Sequence, residues 1–167
     1  MPNHCTNEVT ITFKNLEQKE AFRKWVDNGD DNPLDFERIL PYPKGKQVVE
    51  KWVVDEDMKD NPKLINRMKR EKETIEMNGE WNYEWCCDNW GTKWNSYSWD
   101  FHSDIWNDEY EEDFIELKFE TAWGPPTGIL KKIHEKFPDF SYIRWFYRDE
   151  ADMFCGYLDV DVGINDD

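Results

Sequence analysis

The 167-residue sequence has no run of about 18 apolar residues, so no membrane-spanning helix is expected. Its first residues, MPNHCTNEVT, lack the basic start and apolar core of a signal peptide. Cysteine is scarce, and Cys5, Cys86, Cys87 and Cys155, two of them adjacent, make a poor disulfide framework. Reduced thiols in a cytoplasm are the expected state. Basic residues are in deficit, 21 against 37 acidic ones, for a formal net charge of -16. Nucleic-acid backbones and anionic membranes are bound by basic surfaces, so neither is expected as a direct ligand. The charge serves solubility, and it would also draw the chain to proteins with basic surfaces.

Catalytic signatures are missing as well. There is no Gly-x-Ser-x-Gly, no catalytic-cysteine signature and no Gly-rich phosphate loop. His4, Cys5, Cys86, Cys87, His102 and Cys155 offer metal-ligand chemistry without Cys-x-x-Cys spacing, so no metal or cofactor is expected. His4 and Cys5, as strand neighbours, point to opposite faces and form no dyad by adjacency. Asp100, His102 and Asp104 share one strand face and could align a general base with its orienting carboxylate, which leaves a hydrolase using His102 as one reading. The run Asp108, Glu109, Glu111, Glu112 and Asp113 lacks the Gly turn and ligand spacing of a calcium loop. It reads as an acidic surface, joined by Asp149, Glu150, Asp152, Asp159 and Asp161.

What the chain has in quantity is aromatic: 16% of residues, with ten Trp and ten Phe. Rings bury much area each, so they can build a core that the 38% hydrophobic content alone would not suggest. One folded domain over residues 1–167 is expected, with an insertion at about 44–80.

Residues 8–14, EVTITFK, alternate apolar and polar and predict a half-buried strand. Asn15 then caps a helix with Gln18 as its box partner, and Phe22, Trp25 and Val26 form the apolar stripe. FERILPYP reads as an extended, proline-stiffened passage. Within the insertion, Asn61 and Pro62 predict a helix start, with Leu64, Ile65 and Met68 on one side and Lys63, Arg67, Lys69, Arg70 and Lys72 coating the rest. YSWDFH and FIELKFET alternate as strands, Ile129, Leu130 and Ile133 mark a helix ended by Pro138, and FSYIRWFYR and MFCGYLDVDV form a last strand pair around DEAD. Helices separated by antiparallel strand pairs predict an α+β, ferredoxin-like split βαβ sandwich with both helices on one sheet face and one extra C-terminal strand.

Four short stretches, PNHCTNEVTI, ILPYP, NWGTKWN and FETAWGPP, together resemble the YubB-type ferredoxin-like family of proteins carried by phages and conjugative plasmids. The resemblance covers most of the chain outside residues 44–80. It implies the same fold and a mobile genetic element as the source, but no established catalytic activity. Gly124 stands where that family's pattern has serine.

In this fold NWGTKWN and TAWGPP should converge at one end of the sheet, because antiparallel strands bring the start of one beside the end of the next. The candidate site is therefore Trp90, Gly91, Thr92, Lys93, Trp94 and Asn95 with Thr121, Trp123, Gly124 and Pro125. The rings could simply plug the sheet's end, with Lys93 across Trp94 in a cation–π contact. They could instead form a pocket that clamps a partner's side chain or stacks on a nucleotide-like molecule. The expected function is a non-enzymatic acidic interaction protein of a mobile element that binds a host protein with a basic surface. A small-ligand module that sequesters a nucleotide is the alternative.

Overall fold

The computed structural model describes residues 3–29, 32–54, 68–99 and 112–158. Its elements run in the order β1 (His4–Thr12), α1 (Leu16–Val26), α2 (Phe36–Ile39), β2 (Lys44–Val54), β3 (Met68–Asn78), α3 (Tyr83–Asn89), β4 (Phe114–Ala122), α4 (Thr127–Lys136), β5 (Tyr142–Asp149) and β6 (Cys155–Leu158). β1 lies between β4 and β5, antiparallel to both, and β6 pairs with the outer edge of β5. β4, α4 and β5 therefore straddle β1 as a split βαβ unit, the ferredoxin-like arrangement expected from the sequence.

The alternation of β1 decides which face is buried. Cys5, Asn7, Val9 and Ile11 are buried, and their cross-strand neighbours Thr121, Phe119, Leu117 and Ile115 are buried with them. Phe22 and Val26 of α1 and Ile129, Leu130 and Ile133 of α4 join the same core. Both helices thus cover one sheet face. Asn15 accepts from the Gln18 backbone N–H at 2.8 Å as the N-cap, while Gln18 Oε1 accepts from Lys14 N at 2.8 Å, one residue earlier than a standard capping box.

Four features depart from the sequence reading. First, Lys69, Arg70 and Lys72 stand on β3, which pairs with β2 in a two-stranded ribbon, and not on a helix continuing from Asn61. Opposite charges across the ribbon explain the preference: Lys51 meets Glu73 at 2.7 Å and Arg70 meets Glu50 at 3.3 Å. Asn61 to Arg67 lie outside the described residues. Second, Asp35 caps the short helix α2 by accepting from Glu37 N at 2.9 Å, within the stretch expected to be extended. Third, YEWCCDN is helical: Asn82 accepts from Trp85 N at 2.9 Å and starts α3, so the Trp-rich segment is a helix followed by a turn. Fourth, among the described residues the strand expected from Tyr97 is represented by a single bridge, Tyr97 to Glu120, on the outer edge of β4. Asp100, Phe101, His102 and Asp104 lie outside the described residues.

Candidate functional site

The convergence of the two motifs begins with the glycine that ends α3. Gly91 has φ +83° and donates its N–H to Cys86 O at 3.2 Å. A β-carbon at this position would lie 2.4 Å from Thr127 Oγ1 and 2.9 Å from Thr127 N, so only glycine allows the turn to press against the start of α4. Gly128 makes the same approach from the other side, where a β-carbon would lie 1.7 Å from Asn89 O. Gly128 N donates to Trp90 O at 3.1 Å across this contact. Thr92, within the interior, donates its hydroxyl to Ala122 O at 2.8 Å. WGTKW is therefore tied to TAWGPP by the Thr92 hydroxyl, and to the start of α4 by the close approach of Gly91 and Gly128.

A buried polar chain fixes the second motif from below. Trp145 Nε1 donates to Asn7 Oδ1 at 3.0 Å, Asn7 Nδ2 donates to Thr121 Oγ1 at 2.9 Å, and Thr121 Oγ1 donates to Gly124 O at 2.7 Å. Asn95 fixes the first motif. Its Oδ1 accepts from Phe36 N at 2.9 Å, and its Nδ2 donates to Asp35 Oδ1 at 2.8 Å. Trp90 is in the core, stacked on Tyr42 at 5.0 Å, with its indole N–H donated to Leu40 O at 2.9 Å. Trp90, Thr92, Asn95 and Thr121 thus use their polar groups inside the protein.

The remaining rings reach the surface. Lys93 Nζ lies 4.6 Å from the centre of the Trp94 ring and 4.8 Å from that of Trp123, so one ammonium is held between two indoles. Tyr83 meets Trp123 edge-on at 5.5 Å, and Trp81 donates its indole N–H to Lys93 O at 2.9 Å. Trp123 is 41% exposed and Trp81 49% exposed, yet each is fixed by a neighbour. Trp123 also has φ +73°, a left-handed conformation that costs a bulky residue about 1–3 kcal/mol. Its backbone N–H donates to Asn3 O at 2.8 Å, which ties the strained residue to the entry of β1.

No local sequence pattern marks His4, Tyr97, Trp81 and Tyr83 as members of this rim. His4 Nδ1 and the Tyr97 hydroxyl share a hydrogen bond of 2.5 Å, and His4 Nε2 lies 3.9 Å from Glu150 Oε2. Burial, with the Glu120 charge adding to it, pushes the Tyr97 phenol up to about 12, so it stays protonated at neutral pH. Only the tertiary pairing of β1 with β4 and β5 brings these groups together, and pairing partners cannot be read from local pattern.

The acidic residues fall in different settings. Glu112, Asp113, Glu150 and Asp152 are exposed, whereas Asp149, expected on the surface, is buried and its Oδ2 accepts from Ala151 N at 3.1 Å and Met153 N at 3.4 Å. It closes the β5–β6 turn. Asp108, Glu109, Glu111, Asp159 and Asp161 lie outside the described residues. All four cysteines are free, with Cys5 and Cys86 buried and Cys155 exposed. Burial pushes the Cys5 thiol up to about 11 and the Cys86 thiol up to about 12, so neither is an activated nucleophile.

Residues 93–165 match the family model described as a ferredoxin-like domain in Api92-like protein. The match begins at Lys93 and takes in the Lys–Trp turn, β4, α4, β5 and β6. No curated protein and no solved structure matches the chain.

Proposed function

We propose that the protein is a non-enzymatic interaction module whose aromatic rim anchors a partner protein with a basic surface. The observation behind this reading is Trp123: a large ring, exposed, strained and nevertheless locked by Lys93, Tyr83 and the Asn3 backbone. Strain of that size persists at positions where geometry serves a task, and rigid exposed Trp and Tyr are the residues that dominate binding energy. The charge of -16 supplies the attraction that selects a basic partner. The resemblance to phage and plasmid proteins makes a host protein, such as a nucleic-acid-handling defence factor, the proposed target. The protein would then act in the host cytoplasm by occupying that target.

Affinity capture from host lysate, with wild type and Trp123→Gly compared at graded salt, tests this directly. Wild type should retain a basic protein at low salt and lose it steeply as salt rises, and Trp123→Gly should fail to retain it. Equal recovery by both proteins at all salt concentrations would reject the reading.

One observation favours a second reading. Among the described residues no carboxylate lies within 4.0 Å of Lys93, although the chain holds 37 acidic residues. Its ammonium could meet the phosphate of a nucleotide stacked on Trp94 or Trp123. Titration with a nucleotide panel should then quench tryptophan fluorescence, with the quenching lost in Lys93→Ala. Flat titrations remove this alternative.

A further inference from the structure

The sheet face away from the helices is a patterned surface, not a uniformly polar one. Its residues lie in rows across the strands, set by the β1–β4 and β1–β5 registers. From β4 through β1 to β5, the rows read Phe114–Thr12–Tyr142, Glu116–Thr10–Arg144, Lys118–Glu8–Phe146 and Glu120–Thr6–Arg148. On the β6 side, Tyr157 pairs with Phe146 and extends the third row. Glu116, Lys118, Arg144 and Arg148 are exposed, and so are Phe114, Tyr142 and Tyr157. Within these rows three cations stand against three carboxylates, on a chain of net charge -16, and Arg148 also meets Asp152 of its own chain at 3.7 Å.

The order within the rows is self-complementary. A two-fold axis parallel to β1, lying above it, preserves level along the strands and exchanges the β4 side with the β5 side. Glu116 then faces Arg144 of a second copy, and Glu120 faces Arg148 of a second copy. Lys118 lies over the ring of Phe146, and Phe114 meets Tyr142. Each contact occurs twice, as an isologous interface requires. The middle strand carries mostly threonines, which leave a depression of about 290 Å³ lined by Glu8, Thr10, Glu116, Lys118, Arg144 and Phe146. Longer side chains from the flanking strands can fold into it. Glu8 falls on the axis opposite its own symmetry mate, but Lys118 lies 4.0 Å from it within the same sheet. Arg144 is pre-positioned, since it donates to the Tyr157 hydroxyl at 2.9 Å.

We infer that this face joins two copies of the chain in a sheet-to-sheet homodimer, with Glu116–Arg144 and Glu120–Arg148 as reciprocal pairs. At strand spacings of about 4.8 Å, the face measures roughly 19 by 25 Å. That is smaller than the ~800 Å² per partner of a standard interface, so the dimer should be weak and concentration-dependent. Trp123, which follows the end of β4, and Lys93 beside it lie outside these rows, so each copy keeps its own Lys93–Trp123 site and the assembled protein is bivalent.

Charge exchange tests the pairing. Sedimentation at about 0.15 M salt and up to several hundred micromolar should show wild type shifting from monomer to dimer. Glu116→Arg and Arg144→Glu should each remain monomeric, because each places like charges across the axis. Their equimolar mixture should dimerise, since the two exchanged positions then face each other with opposite charges. The unexchanged Arg144 of one chain likewise meets the unexchanged Glu116 of the other. The doubly exchanged chain should dimerise alone. A monomeric wild type, a dimer that survives in both single variants, or a mixture that stays monomeric would each overturn the inference.

Discussion

At the scale of single residues, Asn7 sets the geometry of the rim. Its side chain joins Trp145 in β5 to Thr121 in β4, and both of those partners are buried. Asn7→Ala would leave the indole N–H without its acceptor, and a loss of about 2–4 kcal/mol is expected on urea unfolding. Gly91→Ala should cost about 2 kcal/mol or more, since its φ is +83° and the new methyl would strike Thr127. Trp123→Gly should behave differently. Relief of the left-handed strain offsets the lost ring contacts, so stability should change by no more than about 1 kcal/mol. A loss far above that would make Trp123 a structural plug.

At the scale of elements, legibility follows the range of the forces involved. β1, α1, β4, α4 and β5 are readable because one face of each meets the core, and burial imposes a period of two or 3.6 residues. Phe22 and Val26 on α1, and Ile115, Leu117 and Phe119 on β4, stand on the expected faces. The helical cap is readable too, and Asn15→Ala should lower stability by about 1 kcal/mol. The β2–β3 ribbon is not readable as a strand pair. Its exposed faces carry charges that pair across strands, such as Lys51 with Glu73, and charge alternation does not distinguish a ribbon from a solvated helix. α3 escapes sequence reading because Asn82 capping a single two-turn helix leaves only Trp85 and Cys86 as buried markers. The meeting of WGTKW with TAWGPP is legible from strand order, whereas His4 and Tyr97 enter the rim through the long-range pairing of β1 and Tyr97 with β4.

At the scale of the whole molecule, stability should fall in alkali through the buried thiols. Burial raises Cys5 to about 11 and Cys86 to about 12 from an ordinary value of 9.0, so the folded state holds protons that the unfolded chain releases first. Their contribution is complete below pH 9 and is lost as pH rises through 11 to 12. Unfolding midpoints measured from pH 7 to 11 should be flat at first and then decline. Thiol labelling of the native protein should modify Cys155 first and Cys5 and Cys86 only on unfolding. The proposed recognition of a partner rests on a molecular fact, the meeting of residues 91–94 with Trp123 around one lysine. NMR chemical shifts of the Lys93 side-chain methylenes measure that meeting most directly. Two indole faces flanking the ammonium should shift these protons strongly upfield, with part of the shift lost in Trp94→Ala and the rest lost when Trp123→Gly is added. Lys93 methylene shifts at ordinary solvent-exposed values, unmoved by either substitution, would contradict the rim as described.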